Sequence, residues 1–142
     1  MRIEELMTRS PTTVTPTMTL TEAARKMKES GVGSVVVTDE GEVIGVLTDR
    51  DIALALAFPQ EFDAQSRVDV VMTPRPVTIE AGAEVPEGLE RMRAHAIRRL
   101  VVVDSRGRLL GVVSLDDLLI HLGNTMAAVA ELVREEVAVK IP

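Results

Sequence analysis

Gly45-Val46-Leu47-Thr48-Asp49-Arg50-Asp51 and Gly111-Val112-Val113-Ser114-Leu115-Asp116-Asp117 are two copies of one pattern, and their reading decides the fold. Each joins the end of an apolar strand to a hydroxyl residue and, three places on, an Asp in the first turn of a helix. The likeness extends outward from both copies. Met7-Thr8 returns as Met72-Thr73 at an offset of about 65 residues, which also aligns Pro11 with Pro76, Thr13 with Thr78, Glu22 with Glu87 and Met27 with Met92. Val36-Val37 falls on Val101-Val102, and Asp39 on Asp104. One extra residue near Ser105-Arg106 shifts the offset to about 66, at a turn, where a repeat tolerates insertion.

Each copy reads as strand, helix, strand, strand, helix. Thr12 to Thr15 and Val77 to Ile79 are short extended segments that follow a Pro. Thr19-Leu20-Thr21-Glu22 is a capping box, and Leu20, Ala23, Ala24 and Met27 mark the buried stripe of the helix it opens. Val85, Leu89 and Met92 form the matching stripe in copy two, with Pro86 in the first turn, where Pro is tolerated. Val35-Val36-Val37 and Leu100 to Val103 are unbroken apolar runs, as in strands covered on both faces. Asp39-Glu40-Gly41 and Asp104-Ser105-Arg106-Gly107 are hairpin turns. Second helices open at Asp49 and at Leu115, the latter expected to end at Gly123.

The expected architecture is α/β of the α+β kind: two β-α-β-β-α repeats paired by a pseudo-two-fold axis, plus a C-terminal helix. Residues 1–58 are read as repeat 1, 59–67 as a linker, 68–123 as repeat 2 and 124–142 as an amphipathic helix capped by Asn124 or Thr125. About 55 residues without disulfide or metal make a marginal core, which pairing relieves. The last helix carries Met126, Val129, Val133 and Val137 on one stripe; it is read either as a docking or dimer helix or as one folded back on its own core.

Composition narrows the function. The chain has 142 residues, 46% hydrophobic and 27% charged, the balance of a globular domain. It has no cysteine, which excludes disulfides, thiolate metal sites and Cys nucleophiles. No apolar run approaches the roughly 20 residues of a membrane span, and acids at Glu4 and Glu5 stand where a signal peptide would be apolar; a cytoplasmic protein is the expectation. A net charge of −6 and an aromatic content of 1% disfavour nucleic acid and anionic membranes as partners. His95 and His121 are the only histidines, no Walker or zinc motif is present, and no nucleophile setting is recognisable, so neither enzymatic activity, a required cofactor nor a metal site is expected.

The repeated Thr48-x-x-Asp51 and Ser114-x-x-Asp117 remain. A hydroxyl N-cap with an acid at N3 is an ordinary cap. The same geometry also suits a phosphate at a helix N-terminus with a carboxylate beside a ribose. Spacing alone leaves both readings open.

The Met-Thr opening, the Val-Val-Val-x-Asp strand and turn, and the Gly-h-h-Thr/Ser-x-x-Asp ending each occur twice, in an order that resembles a tandem pair of CBS domains (a Bateman module), over about Ile3 to Leu122. Val101 departs from the pattern, since many members have Pro there. The resemblance implies adenosine-containing ligands (AMP, ADP, ATP or S-adenosylmethionine) in clefts between the repeats, signalling to a partner protein, and a homodimer. It implies that Asp51 and Asp117 hold ribose, that Thr48 and Ser114 approach phosphate, and that Thr78 and Ile79 face Asp51 while Thr13 and Val14 face Asp117. It also places Arg98 and Arg99 at phosphate, where copy one has the uncharged Gly33-Ser34. That asymmetry makes Thr48, Asp51, Arg98 and Arg99 the expected anionic-nucleotide site and the Asp117 site the weaker one; the alternative pairs the two arginines with Glu87 or Glu90. The expected function is a non-enzymatic regulatory module, with a ligand-free dimerisation or interaction scaffold as the alternative and a nucleic-acid-binding regulator as a third reading, disfavoured by the net charge of −6 and the scarcity of aromatics. Motif spacing does not fix which ligand binds.

Overall fold

The computed structural model describes residues 1–140, in the order β1 (Thr8–Arg9), β2 (Thr13–Val14), α1 (Leu20–Ser30), β3 (Ser34–Asp39), β4 (Glu42–Thr48), α2 (Asp49–Leu56), β5 (Thr73–Pro74), β6 (Thr78–Glu80), α3 (Val85–His95), β7 (Arg99–Val103), β8 (Leu109–Ser114) and α4 (Leu115–Lys140). Short 3-10 turns at Ile3–Glu5 and Val68–Val70 precede β1 and β5. The strands form two four-stranded sheets, ordered β2-β3-β4-β5 and β1-β8-β7-β6.

In each sheet a parallel pair (β2 with β3, β6 with β7) adjoins an antiparallel hairpin (β3 with β4, β7 with β8). Glu40 and Gly41 both have positive φ, as a tight two-residue hairpin turn requires. The Asp104 carboxylate accepts N–H bonds from Arg106 (2.8 Å) and Arg108 (2.9 Å), which shapes the longer second turn.

The unbroken valine runs follow from the strand period of two. Val35 and Val37 point into a core with Leu20, Ala23, Met27 and Leu47, while Val36 points the other way. Leu100 and Val102 join Met92 and Val113, while Val101 and Val103 oppose Val36. The two sheets therefore meet through Val36, Val101 and Val103, flanked by Val43, Val46, Leu109 and Val112.

The outermost strands are exchanged. β1 pairs not with its own copy but with β8, Arg9 opposite Gly111, while β5 pairs with β4, Pro74 opposite Gly45. Ile3, fully buried, belongs to the core of the second sheet, and its N–H donates to the Ala83 carbonyl (2.9 Å). Val68 does the same for the first core through the Met18 carbonyl (2.8 Å). The 59–67 segment is also tied down: Ser66 O and Ala64 O accept the Leu20 and Thr21 N–H groups at the start of α1.

Three sequence expectations are corrected. Leu89 is 43% exposed, and the buried stripe of α3 runs through Gly88 and Met92. A Cβ at Gly88 would lie 2.8 Å from Ile3 Cδ1, so the arriving Ile3 takes the volume that a side chain on the helix would fill. Ala24, at the position equivalent to Leu89, is likewise exposed. Finally, α4 is continuous, where a break at Gly123 was expected. Gly123 is not among the glycines with positive φ, and the Thr125 hydroxyl donates back to the His121 carbonyl (3.0 Å) instead of capping a new helix. From Leu119 to Val137 the large apolar side chains of α4 are exposed, so this length of the helix does not fold back onto its core.

Candidate functional site

A cleft of about 720 Å³ opens where the strand ends of the two sheets meet. Its floor is aliphatic, with Val36 and Val46 from one sheet facing Val101 and Val112 from the other. The lining is itself a repeat: Thr48 corresponds to Ser114, Pro11-Thr12 to Pro76-Val77, Ser10 to Arg75, and Gly33-Ser34 to Arg98-Arg99.

Backbone hydrogen bonds fix these segments. The first N–H of α2 (Asp49) donates to Gly33 O (2.9 Å), and the first N–H of α4 (Leu115) donates to Arg98 O (2.8 Å). Ser10, Arg75 and Ala96 all line the cleft with φ near +50°, so among the described residues three of the four non-glycine residues in left-handed conformation lie there. Such residues cost free energy and concentrate at functional sites.

Both hydroxyl–Asp motifs are closed caps. Asp51 N–H donates to Thr48 Oγ1 (3.0 Å) and Thr48 N–H to Asp51 Oδ2 (2.9 Å). Asp117 N–H donates to Ser114 Oγ (3.1 Å) and Ser114 N–H to Asp117 Oδ2 (2.9 Å). Arg50 N–H is taken by Asp49 Oδ1 (2.8 Å). The first three N–H groups of α2, and the first and third of α4, therefore have acceptors in the protein. What the motif leaves for a ligand is the hydroxyl hydrogen of Thr48 and of Ser114, neither of which has a protein acceptor among the described residues, and the second carboxylate oxygen of each Asp.

Of the ten residues singled out from the sequence, Thr48, Arg98, Arg99, Ser114 and Asp117 line this cleft together. Asp51 does not line it; its carboxylate turns to the Thr48 N–H. Val14 and Ile79 are buried in the two cores, each 1% exposed, because the strand alternation points them at the helices. Thr13 and Thr78 also lie outside the lining, and the segment just ahead, Thr12 and Val77, reaches it instead. Their carbonyls accept N–H bonds from Val36 and Val101, which holds both at the floor.

The arginines are not paired as the alternative expected. Glu87 binds Arg91 (2.9 Å) and Glu90 binds Arg93 (2.5 Å), while Arg98 pairs with Asp116 (3.1 Å). Arg75 was missed by the sequence reading. It stands between Pro74 and Pro76, opposite Ser10 in the other copy, and comparing charge position by position across the repeat is the signal that finds it.

A family model, the CBS domain, matches this chain twice, over residues 3–58 and 67–124. The chain belongs to the CBS-domain family. Its exchanged, pseudo-symmetric halves are thus a CBS pair. CBS domain-containing protein YhcV of Bacillus subtilis is 38% identical over 119 residues, 84% of each chain. Protein MK0525 of Methanopyrus kandleri is 36% identical over 118 residues, 82% of this chain; the chain spans 60% of that protein's length. Among solved structures, CBS domain protein PAE2072 of Pyrobaculum aerophilum, complexed with AMP, is 32% identical with a TM-score of 0.75, over 87% of this chain and 99% of that one. Among the described residues, no helix of this CBS pair is long and apolar enough to cross a membrane, and no group of three or more His, Asp or Glu side chains is arranged to hold a metal.

Proposed function

We propose that the protein is a non-enzymatic regulatory module that binds an adenosine-containing ligand in this cleft and passes its occupancy to a partner protein. The observation that carries the reading is the composite lining: Thr48 comes from one repeat, Ser114 and Asp117 from the other, over a shared aliphatic floor. A ligand that touches both sets binds one relative orientation of the repeats better than another, and only such a difference shifts a population. The Asp117 oxygen left free by its cap suits ribose hydroxyls, and the valine floor suits a planar base in a chain with no Trp or Tyr. AMP in the related PAE2072 supports the ligand class. Melting curves with AMP, ATP, S-adenosylmethionine and NAD test it. A ligand present at 100 times its Kd stabilises by about 2.7 kcal/mol. No shift with any of the four refutes the reading.

The helix α4 favours a second role, in assembly. Leu119, Leu122, Met126, Val129, Val133 and Val137 repeat at three- and four-residue spacing along it, each between 49% and 61% exposed. Contiguous apolar surface of this kind marks an interaction face, and a seam at this spacing fits another helix of the same kind. The module acts as a homodimer joined through this seam. Light scattering on the intact chain and on Met126→Asp checks this; a monomeric wild type overturns it.

A further inference from the structure

We propose that two chains pair through α4 in antiparallel register, and that the carboxy-terminal turns of each helix enter an apolar slot between α3 and α4 of the other chain. This rests on the assembly reading of α4 above and adds the direction of the pair and its second surface. The composition of α4 is divided. Residues 118–130 hold no Asp, Glu, Lys or Arg, while 131–136 hold Glu131, Glu135 and Glu136 against the single Arg134. A parallel pair sets each acidic stretch against its own counterpart, and like charges repel. An antiparallel pair sets it against the uncharged stretch of the other helix, and brings the positive start of each helix beside the negative end of its neighbour. The apolar stripe fits this direction: Leu122 of one chain meets Val137 of the partner chain, Met126 meets Val133, and Val129 meets Ala130. Over about 24 Å of helix, at about 1.5 Å per residue, every member of the stripe from Leu122 to Val137 then faces an apolar residue.

The slot lies where α4 leaves the core. The Leu115 N–H donates to Arg98 O, just past the end of α3, and Leu118 shares a core with Met92, so α4 runs back along α3 in the opposite direction. Arg91 of α3 donates to Thr78 O of β6, the outermost strand of this sheet. At about 100° per residue, Leu89 lies roughly 160° around the helix from Arg91, on the flank toward β8 and α4. Leu89 stands one turn before Met92, and Leu122 one turn beyond Leu118; they are 43% and 58% exposed. The first repeat has Ala24 in place of Leu89, and there Phe62, from the 59–67 segment, packs on the core that α1 and α2 share. No such cover reaches Leu89 and Leu122. In the antiparallel register Val133 and Val137 of the partner chain arrive at this point, since they lie opposite Met126 and Leu122, and they supply apolar side chains of the kind that Phe62 supplies in the first repeat.

Because the chain has no cysteine, single-cysteine variants of the full chain read the direction. Leu122→Cys and Val137→Cys chains, mixed and oxidised, are expected to give a mixed disulfide dimer at least about tenfold in excess of either self-linked dimer. In the antiparallel register two Leu122 positions stand about 22 Å apart, at about 1.5 Å per residue, beyond the reach of a disulfide. The slot is read from the dimer dissociation constant, measured by light scattering over a dilution series. Leu89→Asp raises it by at least about tenfold, since a carboxylate is driven into an apolar contact, while Ala24→Asp at the matching place in the first repeat leaves it within about twofold. Unchanged helix content by circular dichroism shows that each variant is folded. Self-linked Leu122→Cys dimers, or no mixed product, overturn the antiparallel register and leave the dimer standing. A Leu89→Asp chain that dimerises as the wild type does overturns the slot. A wild-type chain that stays monomeric overturns this inference and the assembly reading together.

Discussion

Replacing Gly111 by Ala probes the exchange of outer strands, because the space beside this residue is filled by a segment more than 100 positions away in the chain. A Cβ on Gly111 would lie 2.5 Å from Thr8 O, 2.8 Å from Met7 Sδ and 3.1 Å from Met7 Cγ. The thioether can swing aside, but the Thr8 carbonyl is backbone of a strand paired to this very residue's neighbourhood, Thr8 with Val112 and Arg9 with Gly111. Relief requires β1 to retreat by nearly an ångström. Overpacking of this kind costs about 1–3 kcal/mol. Retreat of the strand also loosens the fully buried Ile3, whose burial is worth about 1.5–3 kcal/mol. We expect Gly111→Ala to lose about 2–4 kcal/mol in urea denaturation, out of a typical total of about 5–15 kcal/mol. Met7→Ala in the same chain does not rescue it, since the carbonyl is the closer obstacle. Gly82→Ala, where nothing lies within 4 Å, is the control and changes stability by less than about 0.5 kcal/mol. A Gly111→Ala protein within about 0.5 kcal/mol of wild type would refute the exchanged pairing.

Two further outcomes follow from other parts of the fold. Gly123 sits inside α4 with no neighbour that an added Cβ would meet, so Gly123→Ala raises stability by about 0.5–1 kcal/mol in the same urea titration. The N–H bonds from Arg108 and Arg106 hold the Asp104 carboxyl below the usual aspartate value of 3.8. Because its folded-state value is depressed, its contribution to stability is present above the unfolded value and is lost as pH falls through the folded one. Carboxyl NMR titration of Asp104 therefore gives a midpoint below 3.8, and Asp104→Asn removes this part of the acid dependence.

The repeat, the hairpin turns and most helix starts are legible in the sequence because each depends on near neighbours: a Thr that caps its own helix, a Glu-Gly at a tight turn, a Pro in a first turn. Partners from distant sequence are not legible in this way. Nothing in the offset between Met7 and Met72 says that each lies over the glycine of the other copy's strand. For the same reason Leu89 reads as a core residue in the sequence, since Ile3, which fills the volume beside Gly88 on the buried face of α3, arrives from the chain's start. Gly123 followed by Asn124 and Thr125 has the composition of a stop and restart, but no competing contact forces a left-handed residue there, so the helix runs through. In the cleft, the motif residues Thr48, Ser114 and Asp117 were readable from their spacing. The base-side residues were displaced along the chain because strands of two or three residues carry too little alternation to fix their parity.

The stretch that recurs in the sequence and the body that folds are out of phase by the length of one amino-terminal arm. Cutting the polypeptide within 59–67 would therefore not free two modules. Each fragment would still own an edge of the other's sheet, so the pieces would stay hooked together like two hands with interlocked thumbs, and neither would keep its shape once its counterpart was taken away.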